Sequence, residues 1–142
     1  FDFVSVIKRT LDIFNTDDIH FTHSHDEIVA VFDKDQLGRV VTNLVKNALQ
    51  ATENEPFPAI EVNLTKKEKD IILTVKDNGI GIANADKEKI FEPKFTTKTS
   101  GSGLGLAMVK NIVLSYNGSI SFTSQVGKGS EFVITLVHFL NK

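Results

Sequence analysis

The most regular pattern in the sequence lies in the stretch Lys34–Ala51, KDQLGRVVTNLVKNALQA. Its apolar residues recur with the i, i+3, i+4, i+7 spacing of one buried face of an α-helix. Asp33, just before the stretch, is a helix-capping residue type, and Gln36 three positions later completes a capping-box pattern. We therefore predict a helix over Lys34–Ala51 whose buried face carries Leu37, Val40, Val41, Leu44, Val45, Ala48 and Leu49.

Helices are also predicted on both sides of this stretch. Asp2–Phe14 has apolar residues near helical spacing, and Leu104–Tyr116 is apolar on most sides, as in a helix buried against a sheet. Gly118 marks the end of the second of these helices. The predicted strands, rich in β-branched and aromatic residues, are His20–Thr22, Ile28–Phe32, Ile60–Thr65, Ile71–Asp77, Ser119–Ser124 and Glu131–Val137.

The order of these elements predicts an α+β fold. We expect a two-layer α/β sandwich, in which helices cover one face of a mixed, mostly antiparallel sheet. The regular pattern breaks over residues 79–103, where only Asp86–Phe91 is predicted to form a short helix. An irregular segment of this length inside a compact domain is typical of a functional lid.

Composition limits the class of protein. The 142 residues include 41% hydrophobic and 24% charged residues and no internal repeat, which predicts one globular domain over residues 1–142. A net charge of -2 without a basic cluster argues against nucleic-acid binding. The absence of cysteine excludes disulfides, thiolate metal sites and cysteine nucleophiles. No apolar run approaches the ~20 residues that cross a bilayer, so we expect a cytoplasmic domain without membrane contact.

Two asparagines on the predicted central helix are the first candidates for chemistry. Asn43 and Asn47 are four residues apart, so both amides lie on the same side of the helix. An amide oxygen is a suitable ligand for Mg²⁺ that is already bound to phosphates. The alternative for an isolated pair is a solvated polar edge of an amphipathic helix.

Asp77 ends an apolar strand and is followed by glycines at alternate positions. Its carboxylate can accept a hydrogen bond from an exocyclic amine, while Gly79 and Gly81 allow a ligand ring to approach the backbone. The alternative is an ordinary Asp-Asn-Gly turn.

A glycine-rich segment leads directly into the last predicted helix. Residues 101–105, GSGLG, would direct backbone N–H groups and the positive end of the helix dipole at an anion. The segment is not a Rossmann fingerprint, because Leu106 occupies the last glycine position. The sequence also lacks a Walker A motif and the signatures of eukaryotic-type protein kinases. Just upstream, Lys98 could reach a terminal phosphate, or it is simply a solvated lysine.

Together, four segments resemble the motifs of one family. NLVKNA (Asn43–Ala48), DNGIGI (Asp77–Ile82), FEPKF (Phe91–Phe95) and GSGLGL (Gly101–Leu106) resemble the N box, first glycine box, F box and second glycine box of the histidine kinase catalytic domain. This domain has the Bergerat nucleotide-binding fold. The resemblance covers nearly the whole chain, from Phe1 to about Leu140.

The resemblance implies a site for ATP and Mg²⁺. It implies that Asn47 binds Mg²⁺, that Asn43 and Lys98 act in catalysis at the phosphates, and that Asp77 accepts from the adenine amino group. Many relatives have Lys or Arg at the position of Gln50, so part of the expected positive charge is either missing or supplied by Lys46. The residues implied to contact the nucleotide are Asn43, Lys46, Asn47, Asp77, Gly79, Gly81, Ile82, Phe95, Lys98, Gly101, Ser102, Gly103, Leu104, Gly105, Leu106 and Thr135.

One difference within the superfamily bears on the reaction. ATP-hydrolysing members carry a water-activating Glu where this sequence has Asn43, and a neutral amide is a poor general base. The resemblance therefore implies transfer of the γ-phosphoryl group to a histidine, and from there to a response regulator. The upstream histidines His20, His23 and His25 lie in a predicted strand and loop, so we expect the acceptor in a helical hairpin outside this chain.

Two other functions remain open at this stage: a protein-serine kinase of the anti-sigma-factor type, and a nucleotide-gated binding module without transferase activity. The first residues, Phe1-Asp2-Phe3, indicate a piece of a longer polypeptide. Because dimer contacts in this family lie mainly in the hairpin, we expect the piece itself to be monomeric.

Overall fold

A computed structural model of the protein describes residues 1–92 and 105–137. Three α-helices, one short 3₁₀ helix and five strands are present in these ranges. In chain order they are α1 (Phe3–Asp12), β1 (Ile19–His23), α2 (Lys34–Ala51), β2 (Ile60–Lys67), β3 (Asp70–Asp77), the 3₁₀ helix (Asn84–Asp86), α3 (Gly105–Ser115), β4 (Ser119–Gln125) and β5 (Gly129–Val137).

The five strands form one sheet in the order β1-β2-β3-β5-β4. Only β1 and β2 are parallel, and the other three pairs are antiparallel. Alternate strand residues are buried, as expected when one face of a sheet is covered. The predicted α/β architecture with a mixed, mostly antiparallel sheet is confirmed.

Helix α2 begins and ends at the predicted residues. Asp33 Oδ1 accepts hydrogen bonds from the backbone N–H groups of Asp35 (2.8 Å) and Gln36 (3.1 Å), which caps the helix. Six of the seven apolar residues predicted on its inner face are buried, and Leu49 is half-buried. Burial of each large aliphatic side chain contributes about 1.5–3 kcal/mol, so the helix is held mainly by this face.

The end of α3 differs in detail from the prediction. Asn117, not Gly118, adopts the left-handed conformation, with φ of 61°. The N–H of Gly118 donates to Val113 O (3.0 Å) and that of Asn117 to Leu114 O (3.0 Å), which together form a Schellman motif. Gly118 is needed for space instead, because a Cβ there would lie 2.7 Å from Thr135 O.

Two predicted elements are wrong. Residues 28–32 are not a strand of the sheet but an extended segment with one isolated bridge, between Asp2 and Val29. Their backbone pairs with the start of the chain, through Phe3 N–H to Ile28 O (2.8 Å) and Ala30 N–H to Phe1 O (3.1 Å). The helix predicted over residues 86–91 is instead the 3₁₀ helix followed by turns, because its N–H groups bond to carbonyls three residues back.

No helix within residues 1–92 and 105–137 is both long and apolar enough to cross a bilayer.

Candidate functional site

The middle of α2 meets the start of α3 at Asn43. The Asn43 amide Nδ2 donates to Arg39 O (2.7 Å), which fixes the amide plane along the helix. Its Oδ1 points at the first residue of α3, since a Cβ on Gly105 would lie 2.9 Å from that oxygen. Asn47 lies half-buried one turn further along α2. The structure thus places Asn43, the first of the two predicted asparagines, beside Gly105 at the start of α3.

Asp77 closes strand β3 on the face that the helices cover. Its side chain is only 5% exposed, and Oδ1 accepts a hydrogen bond from the N–H of Gly79 at 2.8 Å. The next residue, Asn78, holds the chain before β2, because its amide bonds to Ala59 N–H (2.9 Å) and Phe57 O (2.8 Å). The carboxylate therefore has a fixed position at the end of the sheet.

Gly79 and Gly81 have a structural use that the sequence did not reveal. A Cβ on Gly79 would overlap the carbonyl group of Ala51 at the end of α2, and the N–H of Ile80 donates to the same oxygen (3.0 Å). Gly81 has φ of 75°, and a Cβ there would overlap Gln125 O in the β4–β5 hairpin. The space beside both glycines is filled by protein backbone. The lack of a side chain at each glycine therefore allows the segment after Asp77 to pack closely against α2 and the β4–β5 hairpin.

A serine pair in the β4–β5 hairpin completes this end of the sheet. Ser130 is buried and lies opposite Asp77 in the β3–β5 register. Its hydroxyl is 2.8 Å from that of Ser124. Ser124 Oγ also accepts from Ile82 N–H (2.7 Å) and bonds to Gly129 O (3.1 Å). Ser124 thus ties the segment after Asp77 to the strand that carries Ser130.

Neither serine was among the predicted site residues. Ser130 directly follows Gly129 at the start of β5, but its proximity to Asp77 depends on how β3 pairs with β5. A prediction of which residue of β5 pairs with Asp77 would have identified Ser130.

The structure does not bring Thr135 to this group. Thr135 pairs with Ile72 and Ser119, five residues along β5 from Ser130, which is about 16 Å at the rise of a strand. Since side chains alternate along a strand, Thr135 also faces away from the buried side that carries Ile134 and Leu136. Ser130, and not Thr135, therefore lies beside Asp77, and the nucleotide contact of Thr135 stays a prediction.

Several predicted residues lie outside the described ranges: Phe95, Lys98, Gly101, Ser102, Gly103 and Leu104. Of the flanking positions, Phe91 packs its ring against Phe122 (5.9 Å between centroids) and Phe132 (6.5 Å). The Lys110 Nζ of α3 lies 5.2 Å from the centroid of the Phe91 ring. Lys46 is exposed on α2, and Leu106 and Ile82 are half-buried.

The described residues offer three different chemical capabilities. A buried carboxylate can accept from a donor, amide oxygens can bind a hard cation, and a helix start offers N–H groups. Such a set defines the class of nucleotide-binding α/β domains.

Comparison with known proteins gives the family. Residues 32–138 match the model of the family described as "Histidine kinase-, DNA gyrase B-, and HSP90-like ATPase". The chain belongs to this family, and it is a histidine-kinase-like ATPase catalytic domain of the kind found in sensor kinases. Membership implies nucleotide binding.

Relatives named as sensor histidine kinases are similar over most of the chain. Sensor histidine kinase RppB of Synechocystis sp. is 40% identical over 122 residues, which is 82% of this chain and 26% of that protein. ZraS of Escherichia coli K12 is 43% identical over 104 residues, which is 73% of this chain and 22% of that protein. The chain thus spans about a quarter of the length of these curated relatives.

Solved structures agree with the fold. The catalytic domain of histidine kinase ThkA, in a nucleotide-free form, has a TM-score of 0.85 and 28% identity, with 97% of this chain and 93% of that chain covered. The mycobacterial sensor histidine kinase MprB has a TM-score of 0.82 and 28% identity, with 97% of both chains covered.

Proposed function

We propose that this domain binds Mg·ATP and transfers the γ-phosphoryl group to a histidine in a helical hairpin of its parent polypeptide. The observation that supports the proposal is the closeness of the Asn43 amide to Gly105, where an added Cβ would lie 2.9 Å from Asn43 Oδ1. Gly105 belongs to the predicted phosphate-binding segment, and Asn43 is a predicted contact of the phosphates.

Asp77 is the proposed recognition group for adenine. A carboxylate is purely an acceptor, with about four lone-pair positions, which suits it to the exocyclic amine of adenine. Ser130, opposite Asp77 in the sheet, is the second polar group in reach of the base. A guanine has a carbonyl oxygen at the position of that amine, which the carboxylate would repel.

Asn47 is the proposed protein ligand of Mg²⁺. Its amide oxygen and that of Asn43 are hard neutral donors, which suits an ion that keeps several waters and binds mainly to phosphates. Bound Mg²⁺ would neutralise charge on the phosphates. Lys98 and Lys46 are proposed to contribute further positive charge, and residues 101–106 to donate N–H groups to the phosphates.

The proposed reaction is a direct displacement at phosphorus. A neutral imidazole nitrogen of the acceptor attacks Pγ, the bond from Pγ to the bridging oxygen breaks, and ADP leaves with that electron pair. The ring loses its proton to solvent. Asn43 cannot deprotonate water, so the domain itself supplies positioning and charge neutralisation, which are the main needs of phosphoryl transfer.

The partners and location of the domain belong to the same proposal. The acceptor hairpin passes the phosphoryl group to a response regulator. The domain works in the cytoplasm, and residues 1–142 form a single folded unit. Residues 1–142 alone are expected to be monomeric, because the proposed dimer contacts of the parent lie in the hairpin.

The test combines calorimetry with label transfer. Mg·ATP is titrated into the chain, and the separately expressed hairpin of the parent is then added with γ-labelled ATP. Acid-labile label on a histidine is the expected result. Label on a serine would instead favour the serine kinase, binding without transfer would favour a nucleotide-gated module, and no binding at millimolar Mg·ATP would contradict all three.

A variant pair tests the role of Asp77. Loss of a hydrogen bond to a charged group costs about 1.5–3 kcal/mol, so Asp77→Asn is expected to weaken ATP binding about 10-fold to 100-fold. Asp70→Asn, at the opposite end of the same strand, is the matched control and should bind as the wild type does.

A further inference from the structure

A groove of about 630 Å³ runs between α1 and α2 on the outer side of the helical layer. One wall is formed by the last two turns of α1 and the residue after it, and the other by the outer face of α2. The groove is separate from the end of the sheet that carries Asp77, but it reaches Asn43 and Lys46 on α2.

The groove is strongly basic in a chain that is slightly acidic overall. Arg9, Lys34, Arg39 and Lys46 line it, and Asp35 is the single carboxylate among the described residues that do so. The lining thus carries three net positive charges, whereas the whole chain has a net charge of -2. All four cationic side chains are exposed. A concentration of one sign of charge in a groove attracts segments of the opposite sign.

An apolar side chain accompanies these charges. Ile13, which lines the groove just after α1, is 80% exposed. A basic row beside an exposed aliphatic side chain fits an amphipathic segment that has both acidic and apolar residues, because each part of the segment then meets its complement.

The position of the groove indicates what that segment belongs to. Asn43 and Lys46 lie at one end of the groove and are also in the proposed nucleotide group. A segment seated along α1 and α2 would therefore reach the phosphate end of the nucleotide. We propose that the α1–α2 groove is the docking site for an acidic, amphipathic segment of the phosphoacceptor hairpin. This inference rests on the proposed function for the identity of the partner.

Docking is tested first without any nucleotide. The isotope-labelled chain is titrated with the acceptor hairpin and followed by NMR. Shifts confined mainly to residues 6–13 and 34–46 are expected. Shifts centred elsewhere, or none at millimolar hairpin, would overturn the docking site. ATP binding is measured separately, so failure of the proposed function remains distinguishable from failure of the docking site.

Charge reversal gives a second, kinetic test. The double variant Arg9→Glu/Arg39→Glu changes only side chains outside the proposed nucleotide group. It should lower kcat/KM for the acceptor at least about tenfold through a higher KM, with unchanged affinity for Mg·ATP. Raising the ionic strength should reduce the difference, because exposed charges are screened.

The matched control is Lys67→Glu/Lys69→Glu, which makes the same change in net charge at the β2–β3 turn. This control variant should transfer the γ-phosphoryl group to the acceptor at the wild-type rate. Equal losses in both double variants would show a general effect of net charge and would overturn the specific groove, as would a wild-type kcat/KM in the Arg9/Arg39 variant.

Discussion

Gly79 lies so close to the backbone of α2 that it has no room for a side chain. An added methyl group would overlap the carbonyl of Ala51, which already accepts from Ile80 N–H. Because neither backbone can give way without moving α2 or the segment after Asp77, Gly79→Ala should destabilise the fold by about 1–3 kcal/mol. Urea unfolding followed by circular dichroism measures the difference.

Gly38 provides the contrasting case in the same molecule. It lies inside α2, and a Cβ there would meet nothing within 4 Å. Gly38→Ala should therefore stabilise the protein by up to about 1 kcal/mol, since alanine loses less backbone entropy in a helix. If both glycine variants lowered stability equally, crowding at Ala51 would not be the cause at Gly79.

Ser124 is the residue through which we expect the hairpin to influence nucleotide affinity. Ser124→Ala removes the acceptor for Ile82 N–H and the partner of Ser130 Oγ. A lost buried hydrogen-bond partner costs about 1–3 kcal/mol. We predict lower stability by about this amount and at least about threefold weaker binding of Mg·ATP by calorimetry.

The control for this change is Ser121→Ala, which affects an exposed hydroxyl on the same strand. It should leave both quantities unchanged. Wild-type affinity in Ser124→Ala, after allowance for any unfolded fraction, would show that the hairpin does not set the nucleotide pocket.

Among the elements, the start of α1 is held by one carboxylate. Asp2 accepts from Val4 N–H (3.0 Å), Ser5 Oγ (2.8 Å) and Ile28 N–H (2.9 Å), so it caps the helix and fixes the extended segment 28–30. Burial acts to raise the pKa of Asp2, but these hydrogen bonds together outweigh burial and lower the pKa below its ordinary value of 3.8.

A lowered pKa in the folded state makes the charged form stabilising. This contribution is complete above pH 3.8 and is lost as the pH falls through the lower folded value. Asp2→Asn keeps an acceptor at the cap but removes the charge. The stability difference between wild type and Asp2→Asn should thus shrink below pH 3.8, as measured by urea midpoints across pH. A difference that stays constant across this pH range would contradict this role of the Asp2 charge.

The same elements show what the sequence could and could not predict. Helix α2 was predicted to the residue because its cap at Asp33 and its apolar spacing are local properties. Residues 28–32 have strand-forming side chains, yet their partners are Phe1 and Phe3, which no local pattern specifies. Ser130 was not predicted beside Asp77 for a related reason, since the face and register of β5 depend on its pairing with β3.

For the molecule as a whole, nucleotide binding should appear as added stability. A ligand that binds only the folded state contributes about 2.7 kcal/mol at a concentration 100 times its Kd. We predict that Mg·ATP raises the melting temperature and that EDTA removes much of this rise. Asn47→Ala should show the reduced rise even with magnesium present.

The comparison nucleotide is GTP with magnesium, which should give little stabilisation if Asp77 reads the adenine amine. An equal shift with ATP, GTP and free phosphate would point to general anion binding.

The connection between the two parallel strands has a mechanical consequence. Strands β1 and β2 are neighbours, and α2 is the crossover that joins them. The helix that carries both asparagines is thus connected at each end to one of two neighbouring strands of the sheet. Because α2 also buries its apolar face against the sheet, we expect this helix to hold its position when the proposed nucleotide binds and leaves.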